Sequence, residues 1–359
     1  MKYGISLLPD CRPEVRNAAD YLRDALAICT RADELGLDYV KMTEHYLGNY
    51  GGYCPDPLTF LASVAARTEN IRLMTGCVLP AFHHPVQLAA RAALVDVMSG
   101  GRLDVGFARA WLPYEFAALG VPIDDSRERF QDSIGAILRL WTESNVSVET
   151  PYFSFDNANS LPPVYQSPHP PVWGAAIRSK QSFEWLAENG FGLLVSLPPL
   201  WSDVEHSTEL IDVYRSRFEQ VHGGTAVTPH VAVALPLYVT ENSQTAKHHA
   251  TRAVKHSLEV TVDAARSWSH VSSTNYPGYD TMVRAFESVT IDALQRDCAG
   301  VIGSPAECVD QLHALREKLN PDVVLWNIDY GGQTYDEMAP SLELFASEVL
   351  PQVTSALVA

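Results

Sequence analysis

Three short stretches of the chain carry side chains that could do chemistry. The first is Thr43-Glu44-His45-Tyr46, where a strand-like run beginning at Asp38 stops in polar residues. A histidine in such a place can take or give a proton near neutral pH, or it can be a loop residue satisfied by a neighbouring backbone group. On an extended chain Glu44 points the other way, so the two need not form a pair. The second stretch is Gly106-Phe107-Ala108-Arg109. A guanidinium at a strand end suits bidentate binding of phosphate or carboxylate, and a salt bridge to one of the many acidic residues would suit it as well. The third is Arg178-Ser179-Lys180-Gln181-Ser182, at the start of a helical segment. Free backbone N–H groups and the positive end of the helix dipole make such a start a natural phosphate site, although Ser179 also reads as an ordinary N-cap. Arg109 and this helix start together make a phosphate cradle more credible than either alone.

Other candidates are weaker. Thr75-Gly76 lies inside the apolar run Met74-Thr75-Gly76-Cys77-Val78. A glycine there marks either close backbone approach, as a flat aromatic ligand would need, or plain packing. His83-His84 invites a metal, but no His-x-x-x-His and no carboxylate array completes a site, so no metal is expected. The pair instead borders the strand end, with Pro85 opening the next helix. There is no Gly-x-Gly-x-x-Gly after a strand, no Walker loop and no Gly-x-Ser-x-Gly elbow. Gly300-Val301-Ile302-Gly303-Ser304-Pro305 reads as a helix entry, and no dedicated nicotinamide domain is visible.

The elements that must position these residues alternate strand and helix. Strands are expected at 3–8, 38–43, 71–79, 102–107, 171–176, 191–197, 230–240 and 323–328. Helices are expected at 20–35, 57–67, 86–98, 126–141, 179–189, 204–221, 243–265, 304–318 and 335–349, from apolar residues at helical spacing. Repeated βα units without antiparallel hairpin signals predict a parallel sheet. Eight strands favour a closed (β/α)8 TIM barrel, an α/β fold, over an open sheet. Residues 143–170 and 266–300 interrupt the rhythm and read as insertions, the second as a lid. No linker divides the chain, so residues 1–359 are expected to form one domain.

Composition narrows the partners. With 47% apolar and 19% charged residues the chain is an ordinary globular sequence. A net charge of −17 argues against nucleic acid and against anionic membrane surfaces, leaving a small molecule. The N-terminal apolar run is too short for a signal peptide, ending at Pro9-Asp10, and no stretch approaches a membrane span. The six cysteines are scattered, with no Cys-x-x-Cys, and read as reduced core thiols. A cytoplasmic location follows as the expectation.

In order and spacing, several stretches resemble bacterial luciferase and the luciferase-like flavin-dependent monooxygenases. They are Thr43-Glu44-His45-Tyr46, Leu79-Pro80 with His84-Pro85, Met98-Ser99-Gly100-Gly101-Arg102-Leu103, Val105 to Arg109, Ser179 to Trp185, and Gly303 to Glu307. The resemblance implies a TIM barrel that binds FMN at its C-terminal mouth. His45 matches the catalytic histidine, and Arg109, Arg178, Ser179 and Ser182 fall at the phosphate end. Thr75 and Gly76 match a segment, often with a non-prolyl cis peptide, beneath the isoalloxazine. Departures occur at Tyr46, where luciferase has a second histidine, and at Ala108, where it has cysteine. Arg178 stands at a position that is acidic in luciferase, and Leu197 replaces a tryptophan. They argue against light emission and a long-chain aldehyde substrate.

The activity implied is that of the oxygenase component of a two-component system, a homodimer. A separate NAD(P)H:flavin reductase would supply FMNH2. Its reaction with O2 would give a C4a-hydroperoxyflavin that passes one oxygen atom to a small organic substrate by hydroxylation or Baeyer–Villiger insertion. Tyr46, Phe82, His84 and Trp111 are candidates to line the substrate site, with Trp268 and Tyr276 as further aromatic residues. The alternatives are a relative that uses deazaflavin F420 for hydride transfer and a non-catalytic flavin-binding barrel.

Overall fold

A computed structural model describes residues 1–196, 204–279, 289–330 and 332–355. Eleven strands and twelve α-helices make up the fold among these residues. The strands are β1 (Lys2–Leu7), β2 (Tyr39–Met42), β3 (Arg72–Thr75), β4 (Leu103–Phe107), β5 (Val146–Glu149), β6 (Ser154–Ala158), β7 (Val172–Ala175), β8 (Gly192–Ser196), β9 (Val231–Val239), β10 (Val301–Gly303) and β11 (Val323–Asn327). The helices are α1 (Ala18–Glu34), α2 (Pro57–Ala65), α3 (Pro85–Met98), α4 (Pro113–Ala118), α5 (Ser126–Thr142), α6 (Lys180–Glu188), α7 (Val204–His222), α8 (Ser243–Ala265), α9 (Ile291–Arg296), α10 (Pro305–Leu319) and α11 (Tyr335–Leu344). A short helix, Leu350–Ser355, ends the described chain.

Eight of the strands run parallel in the order β11-β1-β2-β3-β4-β7-β8-β9, and β9 pairs with both β8 and β11, so the sheet closes on itself. The (β/α)8 barrel expected from the alternation is therefore present. Alternate residues of each strand face two separate cores. Ile5, Leu7, Val40 and Met42 are 0% exposed and meet the helices. Tyr39, Met74, Trp173, Leu194, Ala234 and Leu325 pack together in the barrel interior. Burying one such aliphatic side chain contributes roughly 1.5–3 kcal/mol. A one-residue slip would exchange the two faces, so register is strongly held. That register decides the site, because it turns Lys41 inward and Met42 outward.

Helix starts follow the sequence signals. Asn17 and Asp56 cap α1 and α2 by accepting from Asp20 N and Thr59 N, and Pro57, Pro85 and Pro305 open their helices. Ser304-Glu307 and Thr334-Glu337 are capping boxes. The Ser99-Gly100-Gly101-Arg102 turn is a structural clamp. Arg102 donates to Ser99 O, Thr68 Oγ1, Ile71 O, Ala65 O and Thr68 O.

The first insertion differs from the hairpin-free expectation. β5 and β6 pair antiparallel, closed by a turn in which Thr150 Oγ1 accepts from the amides of Tyr152 and Phe153. No Asn-Gly or Asp-Gly marks that turn, and the strands are short and largely exposed, so their alternation is faint. Asp96 pins the end of the excursion through Tyr165 N at 2.7 Å and Gln166 N at 3.0 Å. In the second insertion, residues 266–270 form a 3-10 turn and 291–296 form α9. Residues 280–288 of the expected lid lie outside the described residues, as does Leu197. The Gly300–Pro305 stretch enters α10 as expected, but Val301–Gly303 also extends the sheet beside β9. All six cysteines are unpaired. Among the described residues no helix is long and apolar enough to cross a membrane.

Candidate active site

A cavity of about 600 Å³ opens at the C-terminal ends of the barrel strands. His45, Gly76, Arg109, Arg178, Ser179, Ser182 and Trp111 all line it. The structure thus brings together most of the residues singled out from sequence, drawn from β2, β3, β4, the β7–α6 junction and the loops that follow them.

His45 is 5% exposed, and its ring is held from three sides. Its Nδ1 lies 3.0 Å from Oε1 of Glu115, a carboxylate that is 0% exposed. The same oxygen accepts from Tyr46 N at 2.7 Å. Because a carboxylate accepts, the proton of this contact sits on Nδ1, and Nε2 is left for other chemistry. Tyr50 packs on the imidazole with ring centres 4.8 Å apart. Gly51, at φ +71°, leaves the space the ring needs, since a Cβ there would sit 2.7 Å from His45 Cδ2. Glu115 was not foreseen from sequence. Its one signal is a lone carboxylate within the apolar run Trp111-Leu112-Pro113 to Phe116-Ala117-Ala118.

Glu44 points away from His45, as alternation requires. It is 1% exposed, and its oxygens accept from Tyr46 Oη at 2.6 Å and Leu79 N at 3.0 Å, with His83 Nε2 at 2.8 Å. Tyr46 and His83 therefore brace a buried carboxylate beside the site. Phe82 packs on Phe116 at 4.9 Å, and exposed His84 caps α3 and lies against Phe153 and Phe155. Of the four residues offered for substrate, only Trp111 lines the cavity. Tyr46, Phe82 and His84 do not, because their rings are committed to these neighbours. No cluster of His, Cys, Asp or Glu among the described residues could hold a metal.

The floor of the cavity includes the Gly76–Cys77 segment, whose peptide bond is cis. Thr75 does not reach the cavity. Its hydroxyl donates to Gly106 O at 2.9 Å and accepts from Gly106 N at 2.8 Å, tying β3 to β4 beneath Gly76. Gly76 is required by contact, since a Cβ there would meet Lys41 Cγ at 2.2 Å.

At the other side, Arg109 lies over the Tyr276 ring at 4.8 Å and reaches Asn275 O at 3.4 Å. Its Nη1 is buried without a partner among the described residues. A buried, unmatched guanidinium nitrogen is costly unless an anion arrives. Ser179 caps α6 without using its hydroxyl on the helix, so that hydroxyl is also available. Burial, then the charge of Arg109, lowers the pKa of the neighbouring Arg127. Arg178 lines the cavity together with Arg109, so this corner is cationic. The corner fits a phosphate, and the flat Gly76–Cys77 segment fits the face of a ring, so the residues present match FMN. Asn275, Tyr276, Pro277, Gly278 and Tyr279 of the second insertion also border the cavity.

Several known proteins are similar to this chain. The oxygenase component of the flavin-dependent trigonelline monooxygenase of Acinetobacter baylyi is 28% identical over 335 residues, covering 91% of this chain and 89% of its own. The crystal structure of monooxygenase RslO1 from Streptomyces bottropensis superposes with a TM-score of 0.86 at 32% identity, over 98% of this chain and 99% of the other. An F420-dependent glucose-6-phosphate dehydrogenase of Amycolatopsis mediterranei is 31% identical over 156 residues, 42% of this chain and 46% of its own. Flavin-dependent and F420-dependent relatives thus both exist. The family model described as luciferase-like monooxygenase matches residues 1–320, and the chain belongs to that family of oxidoreductases.

Proposed function

We propose that the cavity binds FMN in its reduced form and that the protein is the oxygenase component of a two-component monooxygenase. The observation that carries this reading is the meeting of three features in one cavity. They are the anion corner of Arg109, Arg178, Ser179 and Ser182, the Gly76–Cys77 backbone, and the His45–Glu115 pair. When bound, reduced FMN supplied by an NAD(P)H:flavin reductase would activate O2, delivering one atom to the substrate and releasing the other as water. The protein's own part is placement and proton control. Arg109 and the α6 start hold the phosphate, and Gly76 lets the ring approach the backbone. His45, fixed in one tautomer by Glu115, accepts or returns a proton at Nε2. Trp111 and the 275–279 segment border the space and restrict water. The name of the Acinetobacter relative, an oxygenase component, supports the external reductase.

An F420-dependent hydride transfer is the second reading, favoured by the partial similarity to the Amycolatopsis enzyme. Anaerobic titration with FMNH2, followed by mixing with O2, separates the two. Tight FMNH2 binding and O2-dependent product formation are expected. Tight F420 binding, with turnover indifferent to O2, would overturn the proposal.

A further inference from the structure

Three neighbouring strands bring polar side chains to one level of the barrel interior. Ser6 of β1 is in register with Lys41 of β2 on one side and with Asn327 of β11 on the other. Residues in register on parallel strands share a face, so the three form one layer. All three line the cavity, and they are 1%, 9% and 6% exposed respectively.

The fold makes little use of their donors. Ser6 Oγ has no partner among the described residues. Among the described residues the Lys41 ammonium makes one hydrogen bond, 3.2 Å to Thr43 Oγ1, while Thr43 gives its own proton to Gly76 O. It forms no ion pair with a described carboxylate. Asn327 Nδ2 donates to Tyr330 Oη at 3.0 Å, and Tyr330 lines the cavity as well. Packing holds the lysine in place, with its stem over Gly76.

A buried ammonium without an ion-pair partner among the described residues is costly, and burial accordingly lowers the Lys41 pKa. Asp329, whose charge reaches Lys41, makes no ion pair with it: Oδ2 accepts from Tyr21 Oη at 2.7 Å and Leu8 N at 2.9 Å, and Oδ1 is buried without a partner among the described residues. The Arg109–Ser179 corner stands beyond β4 and β7, and β3 separates it from β2. It therefore answers a different anionic group. Three donors on adjacent strands, one of them cationic, are complementary to a pair of anionic oxygens.

We propose that Ser6, Lys41 and Asn327 receive the carboxylate of the substrate, so that the substrates are small organic acids anchored at the barrel floor. The proposal rests on the functional reading above, in which the phosphate corner is already taken by the cofactor. Reduced flavin is itself an anion and is the other possible source of such oxygens and charge.

The test uses the full chain, with and without FMN. Benzoate and hexanoate are titrated calorimetrically against the neutral benzamide and hexanamide, and FMN binding is followed by flavin fluorescence. At least one acid is expected to bind about tenfold or more tightly than its amide, a preference that Lys41→Met removes. Ser6→Ala is expected to weaken the acid about three- to tenfold, and FMN affinity should stay within about twofold in both variants. If Lys41→Met does not fold, Ser6→Ala, which removes one oxygen atom, carries the test. Equal binding of acids and amides, or binding of neither, overturns the proposal. So does a Lys41→Met protein that keeps the acid preference but loses anaerobically reduced FMN about tenfold more than oxidised FMN, which would assign the ammonium to the flavin. Failure of the unmodified protein to bind FMN would instead sink the functional reading. The acid-over-amide comparison on the FMN-free protein still judges the carboxylate site in that case.

Discussion

Nδ1 of His45 and Oε1 of Glu115 lie 3.0 Å apart, joining positions 70 residues distant in the chain. The carboxylate oxygen also takes the Tyr46 amide, so it is anchored before it orients the imidazole. One proton position on His45 follows from that geometry.

Glu115→Gln keeps the volume but can present an N–H to Nδ1, which scrambles the tautomer. Product formation with supplied FMNH2 is expected to fall about tenfold or more, with FMN affinity unchanged. His45→Ala is expected to cost roughly 10²–10⁴-fold. Single-turnover assays check both, and an unaltered His45→Ala rate would remove His45 from the chemistry.

Arg109 carries a buried Nη1 without a partner among the described residues. Arg109→Met is expected to weaken FMN about 10- to 100-fold and to leave riboflavin, which lacks the phosphate, nearly unaffected. Ser179→Ala should act in the same direction and less strongly. Equal losses for the two flavins, measured by fluorescence titration, would place the phosphate elsewhere.

Gly76→Ala puts a methyl group 2.2–2.5 Å from the Lys41 stem. A loss of about 1–3 kcal/mol in unfolding free energy is expected from this overpacking. Lys41→Ala in the same chain should recover part of it. A denaturant double-mutant cycle with no coupling between the positions would show that the contact is not felt.

Burial raises the Asp329 pKa to about 7 from its ordinary 3.8. The folded state then holds a proton that the unfolded chain has released between these values, so stability falls as pH rises from about 4 to 7. Asp329→Asn keeps an acceptor for Tyr21 and Leu8 but cannot ionise. Its advantage over the unmodified protein should grow across that window, by at most about 4 kcal/mol, and level off above it. Melting curves at several pH values check this, and a pH-independent difference would contradict it.

Periodicity and punctuation made much of the architecture legible. Apolar runs of strand length between amphipathic helices, with Pro, Asn and Asp at the starts, led to eight parallel strands in the observed order. They failed at β5 and β6, where an unmarked turn and exposed faces left no contrast to read. They also missed α4, a six-residue helix too short for a period to show.

The sequence by itself determined which residues stand at strand ends, because that follows from local patterning. It therefore named His45, Gly76, Arg109, Ser179 and Ser182 as members of one mouth. Only the tertiary structure decided what faces what. Glu115 meets His45 across 70 residues, and Tyr46, Phe82 and His84 turn to other neighbours. Ser6, Lys41 and Asn327 come level because strand register aligns positions at the two ends of the chain. Closure of the barrel creates that relationship by making β1 and β11 neighbours, and no local pattern encodes it.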